Sequence, residues 1–456
     1  MSHVHAPQHH FWLERALLPA GWAGGVRLGV AAGHIVSLAA GVAPEPGDER
    51  LGTVLPGLGN LHSHAFQRGM AGLAEAGSAG GDSFWSWREV MYRFLDRLGP
   101  EQVEAIAAMA YVEMVESGFT RVGEFHYLHH APDGRPYDDP AELAAAIAAA
   151  AHASGIGLTL LPVFYAHAGF GGQAPEPAQR RFLHGLDDFA ALLGRCARLL
   201  RPLPGAVLGV APHSLRAVAP EELAVLPGLV DGPVHIHIAE QMREVEACLA
   251  WSGQRPVQWL LAHAPVDERW CLVHATHVAT GELDGIRARG AVVGLCPITE
   301  ANLGDGLFPM PTFVHGGGRF GVGSDSNVRI DASGELRLLE YGQRLHLHGR
   351  NVLAPAGTST GTFLHRGAVA GAAQALGVLA GLQPGAPADL VELAGDHPAL
   401  VQRRDDALLD SWVFCGGTAA IRNVWCGGRR QVADGRHLER GRVAARYARA
   451  LAHVLQ

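Results

Sequence analysis

The side chains best suited to chemistry in this sequence are histidines and acids at short spacing: His62-Ser63-His64, His237 with Glu240, His274, and Asp325. Alternate side chains on a β-strand point the same way, so His62 and His64 can grip one ion from one face. In a chain with 26 histidines an isolated HxH pair carries little weight, and the other donors are what raise it. His237 closes a strand-like run in PVHIHIAE and Asp325 closes another in GVGSDS. Three imidazoles with one carboxylate suit Zn²⁺, with iron as the alternative and water completing the shell. Two-metal sites bridged by a carbamylated lysine are excluded, because all 36 basic side chains are arginine; one metal ion per chain is expected.

Such an ion lowers the pKa of bound water to about 7, giving hydroxide at neutral pH. Glu240, three residues beyond His237, is placed to carry protons from that water to a departing nitrogen. A lone glutamate there would read as a carboxylate favoured by a helix dipole, but the ligand beside it reverses that preference. His274, in LVHATH, is expected to orient the nucleophile or stabilise charge on the substrate; the alternative is a buried hydrogen-bonded histidine. His277 is read as structural. Catalysis is thus assigned to Glu240, His274 and Asp325, and metal binding to His62, His64, His237 and Asp325, in a hydrolysis that releases nitrogen as ammonia.

These residues need a scaffold that gathers distant strand ends. Eight strand-length apolar runs recur, VLPGLGNLHSH, TRVGEFHY, LTLLPVFY, AVLGVAPHS, PVHIHIAE, CLVHATH, AVVGLCPI and RFGVGSD, separated by Ala- and Leu-rich stretches of helical spacing. This rhythm predicts an α/β fold of the (β/α)8 TIM-barrel type. Its C-terminal mouth would collect His62, His64, Tyr127, His213, His237, His274 and Asp325. PEQVEAIAAMAYVEMVESG predicts a helix opened by Pro100 and closed by Gly118. Short alternating runs near both chain ends predict a small β-sandwich domain from residues 1–54 and 386–456, around a barrel at 55–385. RVAARYARALAHVLQ predicts a terminal helix.

Composition sets the surroundings. An apolar fraction of 48% with 18% charged residues describes a globular chain, and no apolar run reaches the ~20 residues needed to span a bilayer. A net charge of −8 excludes a nucleic-acid partner. Six scattered cysteines without a CxxC pair predict reduced thiols, and MSHVHAPQHHFWLER lacks the pattern of a secretory signal, so a cytoplasmic location is expected. Cys296 reads as a small buried hydrophobe. A homodimer is the expected assembly.

The words NLHSHAFQRGMAGLAE, GEFHYLHH, HIHIAEQ, LVHATH, TEANLGDGLFP and GVGSDSN, the last followed by ELRLLEYGQRL, resemble the formimidoylglutamate deiminases of the amidohydrolase superfamily over nearly the whole chain. The HxH, HxxE and SD elements are common to deaminating amidohydrolases, whereas AFQRGMAGLAE, EFHYLHH and TEANLGDG are specific. The resemblance implies a (β/α)8 barrel with a β-sandwich built from both ends. It also implies hydrolysis of N-formimino-L-glutamate to N-formyl-L-glutamate and ammonia in histidine breakdown. Gln67, Arg88, Tyr127, His213 and Arg216 are implied as the substrate-facing set. Two carboxylates on that substrate call for local arginines; the alternative for Arg88 and Arg216 is surface salt bridging. Two rivals stand. A nucleobase or triazine deaminase would share the metal site and differ in the pocket, and a non-catalytic scaffold of the same fold is opposed by the complete ligand set.

Overall fold

Each of the eight predicted runs contains strand: Leu58–Ser63, Phe119–His126, Gly157–Phe164, Val207–Leu208 with Ala211–Pro212, Val234–Ile238, Trp270–His274, Val292–Leu295 and Arg319–Val322. The structure is a computed structural model that describes residues 8–77 and 82–456. The strands pair in parallel within two sheets, one from Leu58–Ser63 to the split fourth run, the other from Val234–Ile238 to Arg319–Val322. Helices of the predicted Ala- and Leu-rich stretches intervene. Isolated parallel bridges join the sheets at both edges, Val210 to Val234 and Ser214 to His237 on one side, Ser63 to Asp325 on the other. At the second edge the Asp325 N–H donates to the His62 carbonyl at 3.0 Å, and the His64 N–H donates to the Asp325 carbonyl at 2.9 Å. The ends of the first and last strands, which carry three of the four predicted ligands, are therefore stitched directly together.

Two predicted runs are interrupted, each at a glycine with close neighbours. VLPGLGNLHSH divides at Gly57: Glu49–Pro56 joins the terminal sheet and Leu58–Ser63 the parallel one. A Cβ at Gly57 would stand 2.3 Å from the Thr120 side chain. AVLGVAPHS breaks around Gly209, where a Cβ would meet the Pro233 carbonyl oxygen at 2.5 Å.

The chain ends pair with each other in an eight-stranded sheet that draws on His9–Pro56 and Leu390–His437. Its hydrogen bonding is that of one continuous sheet and not of two facing sheets. Phe11, Leu13, Val26, Leu28, Leu390 and Trp425 form a core of its own, which the alternation of the terminal runs supplies. The first seven residues of the expected terminal domain lie outside the described residues. Helix Pro100–Glu116 carries Pro100 in its first turn, and Gly118 follows it with φ +100°. Arg440–Val454 is the terminal helix. All six cysteines are unpaired. Among the described residues no helix is long and apolar enough to cross a membrane.

Helix Thr360–Ala375 lies so close to strand Arg319–Val322 that a Cβ at Gly371 would fall 1.7 Å from the Phe320 carbonyl oxygen. Glycine to alanine inside a helix ordinarily stabilises by about 0.5–1 kcal/mol. Gly371→Ala is expected to reverse that sign and cost about 1–3 kcal/mol, because backbone must move to admit the methyl group. A urea titration reads this as a lower midpoint at unchanged slope; a raised midpoint would refute the close contact.

Candidate metal centre and pocket

The bridge from Ser63 to Asp325 sets the HxH pair against the last strand, and His237 completes the group. His62 Nε2 lies 3.2 Å from His64 Nε2, 3.0 Å from His237 Nε2 and 3.5 Å from Asp325 Oδ1. His64 Nε2 lies 3.2 Å from the same carboxylate oxygen. The other ring nitrogens are spoken for in two cases: His64 Nδ1–H donates to the Phe125 carbonyl at 3.1 Å and His237 Nδ1–H to the His213 carbonyl at 3.2 Å. Those bonds leave Nε2 of both rings unprotonated and aimed inward. Burial lowers the pKa of all three imidazoles, that of His62 to about 3, so they are neutral at pH 7. Burial alone would raise the Asp325 carboxyl, but the hydrogen bond from His62 and the electrostatics of His64, His62 and His274 outweigh it and hold Asp325 below the usual carboxylate range. Lone pairs converging at such distances repel unless a cation lies among them. The four ligand atoms are within 4.8 Å of one another, so these residues fit one metal ion.

Two asparagines lock the arrangement. Asn327 Nδ2 donates to Ser63 Oγ, the His64 carbonyl and the Asp325 carbonyl at 3.0–3.1 Å. Ser324 Oγ donates to Asn327 Oδ1 at 2.6 Å, and Asn60 holds Ser324 by Nδ2 to Oγ at 2.6 Å and by Oδ1 from the Ser324 N–H at 3.0 Å. Asp325, Asn327 and His274 have left-handed backbone, at φ +44°, +56° and +67°, a strain that persists only where surroundings over-determine it.

Glu240 and His274 approach from the fifth and sixth strands. His274 Nε2 is 3.8 Å from both Glu240 Oε1 and Asp325 Oδ2, while its Nδ1–H donates to Glu300 Oε1 at 3.1 Å. Burial opposes charge on His274, yet Glu240, Glu300 and Asp325 together push its pKa up to about 10. Burial is also the main cause that pushes Glu240 up to about 7, with His274 partly offsetting it. The Glu240 backbone is fixed by the Glu244 carboxylate, which accepts from the Ala239 N–H at 3.1 Å and the Glu240 N–H at 3.3 Å.

A pocket of about 60 Å³ opens onto this group. Gln67, Arg88, Tyr127, His213 and Arg216 all line it together with His64, His237, Glu240, His274 and Asp325. Gln67 Nε2 donates to Tyr127 Oη at 2.9 Å, and its buried Oε1 has no partner. Arg88, on helix Phe84–Leu95, donates from Nε to Tyr92 Oη at 2.7 Å and lies over the Trp85 and Tyr92 rings. Arg216 Nε is buried, stands 4.0 Å from Glu244 Oε2 and has no hydrogen-bond partner. Burial and then Arg216 hold the His213 imidazole neutral. Among the described residues neither guanidinium is hydrogen-bonded to an acid, so surface salt bridging does not account for them.

Residues 53–430 match the amidohydrolase family, and residues 1–52 match the N-terminal domain of the formimidoylglutamate deiminase HutF. The chain is 52% identical over 449 residues to the formimidoylglutamate deiminase of Pseudomonas aeruginosa, covering 97% of this chain and 98% of that one. It belongs to the amidohydrolase family, among the formimidoylglutamate deiminases. As an amidohydrolase it is a hydrolase acting on C–N bonds, of a metal-dependent family. A solved amidohydrolase from Brucella melitensis, 53% identical, superposes with a TM-score of 0.96 over 98% of this chain and 100% of its own. An adenosine deaminase from Xanthomonas campestris with bound zinc, 20% identical, superposes with a TM-score of 0.80 over 98% of both chains and shares the fold.

Several residues of this amidohydrolase site are not legible in the sequence. The pocket wall contains Phe84, Trp87, Tyr92, Tyr165 and Phe182, and the run FWSW beside Arg88 is the signal for the first two. Glu300, Glu244, Asn60 and Asn327 are buried and act on predicted residues through partners four to 264 positions away. His277 does not line the pocket, and Cys296 is buried, in keeping with their structural reading.

Proposed function

We propose that this amidohydrolase converts N-formimino-L-glutamate to N-formyl-L-glutamate and ammonia in histidine breakdown, using one zinc ion held by His62, His64, His237 and Asp325. The observation that carries the substrate is the pair of guanidiniums, Arg88 and Arg216, facing the same pocket as Glu240 without an acid hydrogen-bonded to either. A dicarboxylate supplies what both lack. The name of the Pseudomonas relative supports the same reading. We also read the two parallel sheets as one closed (β/α)8 barrel at 55–385, supported by the bridges at both edges, with the terminal segments 1–54 and 386–456 as a second domain.

When bound, zinc supplies Lewis acidity and brings the pKa of water near 7. Glu240 takes one proton from the attacking water to the formimino =NH and then carries the hydroxyl proton of the resulting adduct to the same nitrogen, so that the C–N bond breaks, the formyl C=O forms and ammonia departs. His274, cationic beside three carboxylates, directs Nε2–H toward the reacting centre. Arg88 and Arg216 take the two carboxylates, Gln67, Tyr127 and His213 shape the pocket around the chain of the substrate, and the aromatic wall limits water.

That wall also favours a second reading, since Phe84, Trp87, Tyr92, Tyr165 and Phe182 would stack on a flat heterocycle. Ammonia release by the zinc-loaded protein from N-formimino-L-glutamate, adenine, guanine and cytosine decides between them. Release from formiminoglutamate alone is expected. Arg88→Met and Arg216→Met should each lower kcat/KM by about tenfold or more, the loss of a charge-assisted hydrogen bond. Release only from a base, unaffected by either substitution, would overturn the substrate assignment and leave the hydrolysis standing.

A further inference from the structure

Glu300 lies in the sequence word TEANLGDG, does not line the pocket, and touches no ligand of the metal centre directly. It belongs to helix Pro297–Leu303, whose first turn follows the seventh strand. Its Oε1 accepts from the Cys296 N–H at 2.8 Å, and its own N–H donates to the Cys296 carbonyl at 2.8 Å. Its carbonyl accepts from the Asp305 N–H at 3.0 Å, so the residue is pinned from both sides. The same Oε1 accepts His274 Nδ1–H at 3.1 Å. Capping the turn needs only the first of these bonds. The second is made across 26 residues to an imidazole whose backbone is left-handed at φ +67°.

We propose that Glu300 is a positioning residue: it grips His274 by Nδ1–H so that Nε2 is aimed between Glu240 and Asp325, at the reacting centre. This deepens the deiminase reading and rests on it. The grip has two consequences. The ring cannot rotate about χ2 without breaking a buried charge-assisted hydrogen bond, so the pocket-facing nitrogen is always Nε2. With Nδ1 committed as a donor to Glu300, that nitrogen cannot ligate an ion between His274, Cys296 and Glu300, although the three have ligand atoms within 4.8 Å of one another. A carboxylate oxygen already accepting two hydrogen bonds, beside a protonated nitrogen, serves the imidazole and leaves the metal to the first group of four.

The test uses full-length zinc-loaded E300A, E300Q and H274N proteins with ¹⁵N-labelled histidine. Wild type should show a slowly exchanging imidazole Nδ1–H resonance that H274N and E300A lose and E300Q keeps, since an amide oxygen can still accept from Cys296 and His274. E300A should lower kcat about 10- to 100-fold with KM little changed and zinc content unchanged, and E300Q should recover most of the loss. In an H274N background E300A should cost nothing further. Should E300A fail to fold, E300L removes the same acceptor while filling the space. Persistence of the resonance in E300A or E300L, an equal kcat loss in the H274N background, or loss of zinc in either variant would overturn the proposal. The resonance is read without substrate, so a wild type inactive on formiminoglutamate would defeat the functional reading while the grip on His274 was still tested.

Discussion

Substituting glutamine for Glu240 is expected to lower kcat by about 10²- to 10⁴-fold while leaving fold and metal content intact. Glutamine has the shape of glutamate but cannot take a proton from water or return one to nitrogen. The carboxyl is tuned for both transfers, because burial pushes it up to about 7, with His274 opposing, and it exchanges protons readily at neutral pH. Its charge is not what holds the loop. The loop is held by Glu244, which accepts the Ala239 and Glu240 N–H groups. The nearby Asp305 carboxyl is pushed up to about 9, by burial first and then by Glu240, so glutamine relieves Asp305 while losing the 3.8 Å attraction to His274, and the thermal midpoint should change little. Steady-state ammonia release and a thermal melt check both parts. Retention of kcat within tenfold would remove Glu240 from the proton path and leave His274 or Asp325 to carry it.

The residues that were legible in the sequence share one property: their geometry follows from local periodicity. His62 and His64 face one way because a strand alternates, and His237, His274 and Asp325 share their neighbourhood because each closes a strand in a parallel array. The illegible residues have geometry set by contacts distant in sequence. Asn327 reaches Ser63 across 264 positions and Glu300 reaches His274 across 26, and no spacing rule encodes either. The glycine at the break of the first run is similar in kind, because the neighbour that leaves no room for a side chain there, Thr120, comes from the next strand. Arg88 and Arg216 came from family words alone. Their significance became physical only with Tyr92 bound to one and a distance of 4.0 Å separating the other from Glu244.

Removing the metal is expected to abolish ammonia release and to lower the thermal midpoint, with both restored by one equivalent of zinc. The stability loss follows from the same geometry as the activity loss. Without a cation, His64 and His237 present bare Nε2 atoms, and His62 Nε2, 3.0–3.2 Å from both, can offer its one proton to only one of them or to Asp325. Protonating a ring would relieve this in water, but burial holds the His62 pKa near 3, so that escape is closed at neutral pH. Rotating the rings is also resisted, because His64 and His237 would forfeit the bonds from Nδ1–H to Phe125 and His213. The apoprotein must therefore loosen around the junction of the first and last strands, where Asn327 and Ser324 depend on the same backbone. A metal present at about 1,000 times its dissociation constant stabilises by about 4 kcal/mol, which sets the scale of the shift. Dialysis against a chelator followed by calorimetry measures it. An unchanged midpoint would mean that the four residues are packed without need of an ion, and a requirement for two equivalents would point to a second site at His274, Cys296 and Glu300, contrary to the grip of Glu300 on His274.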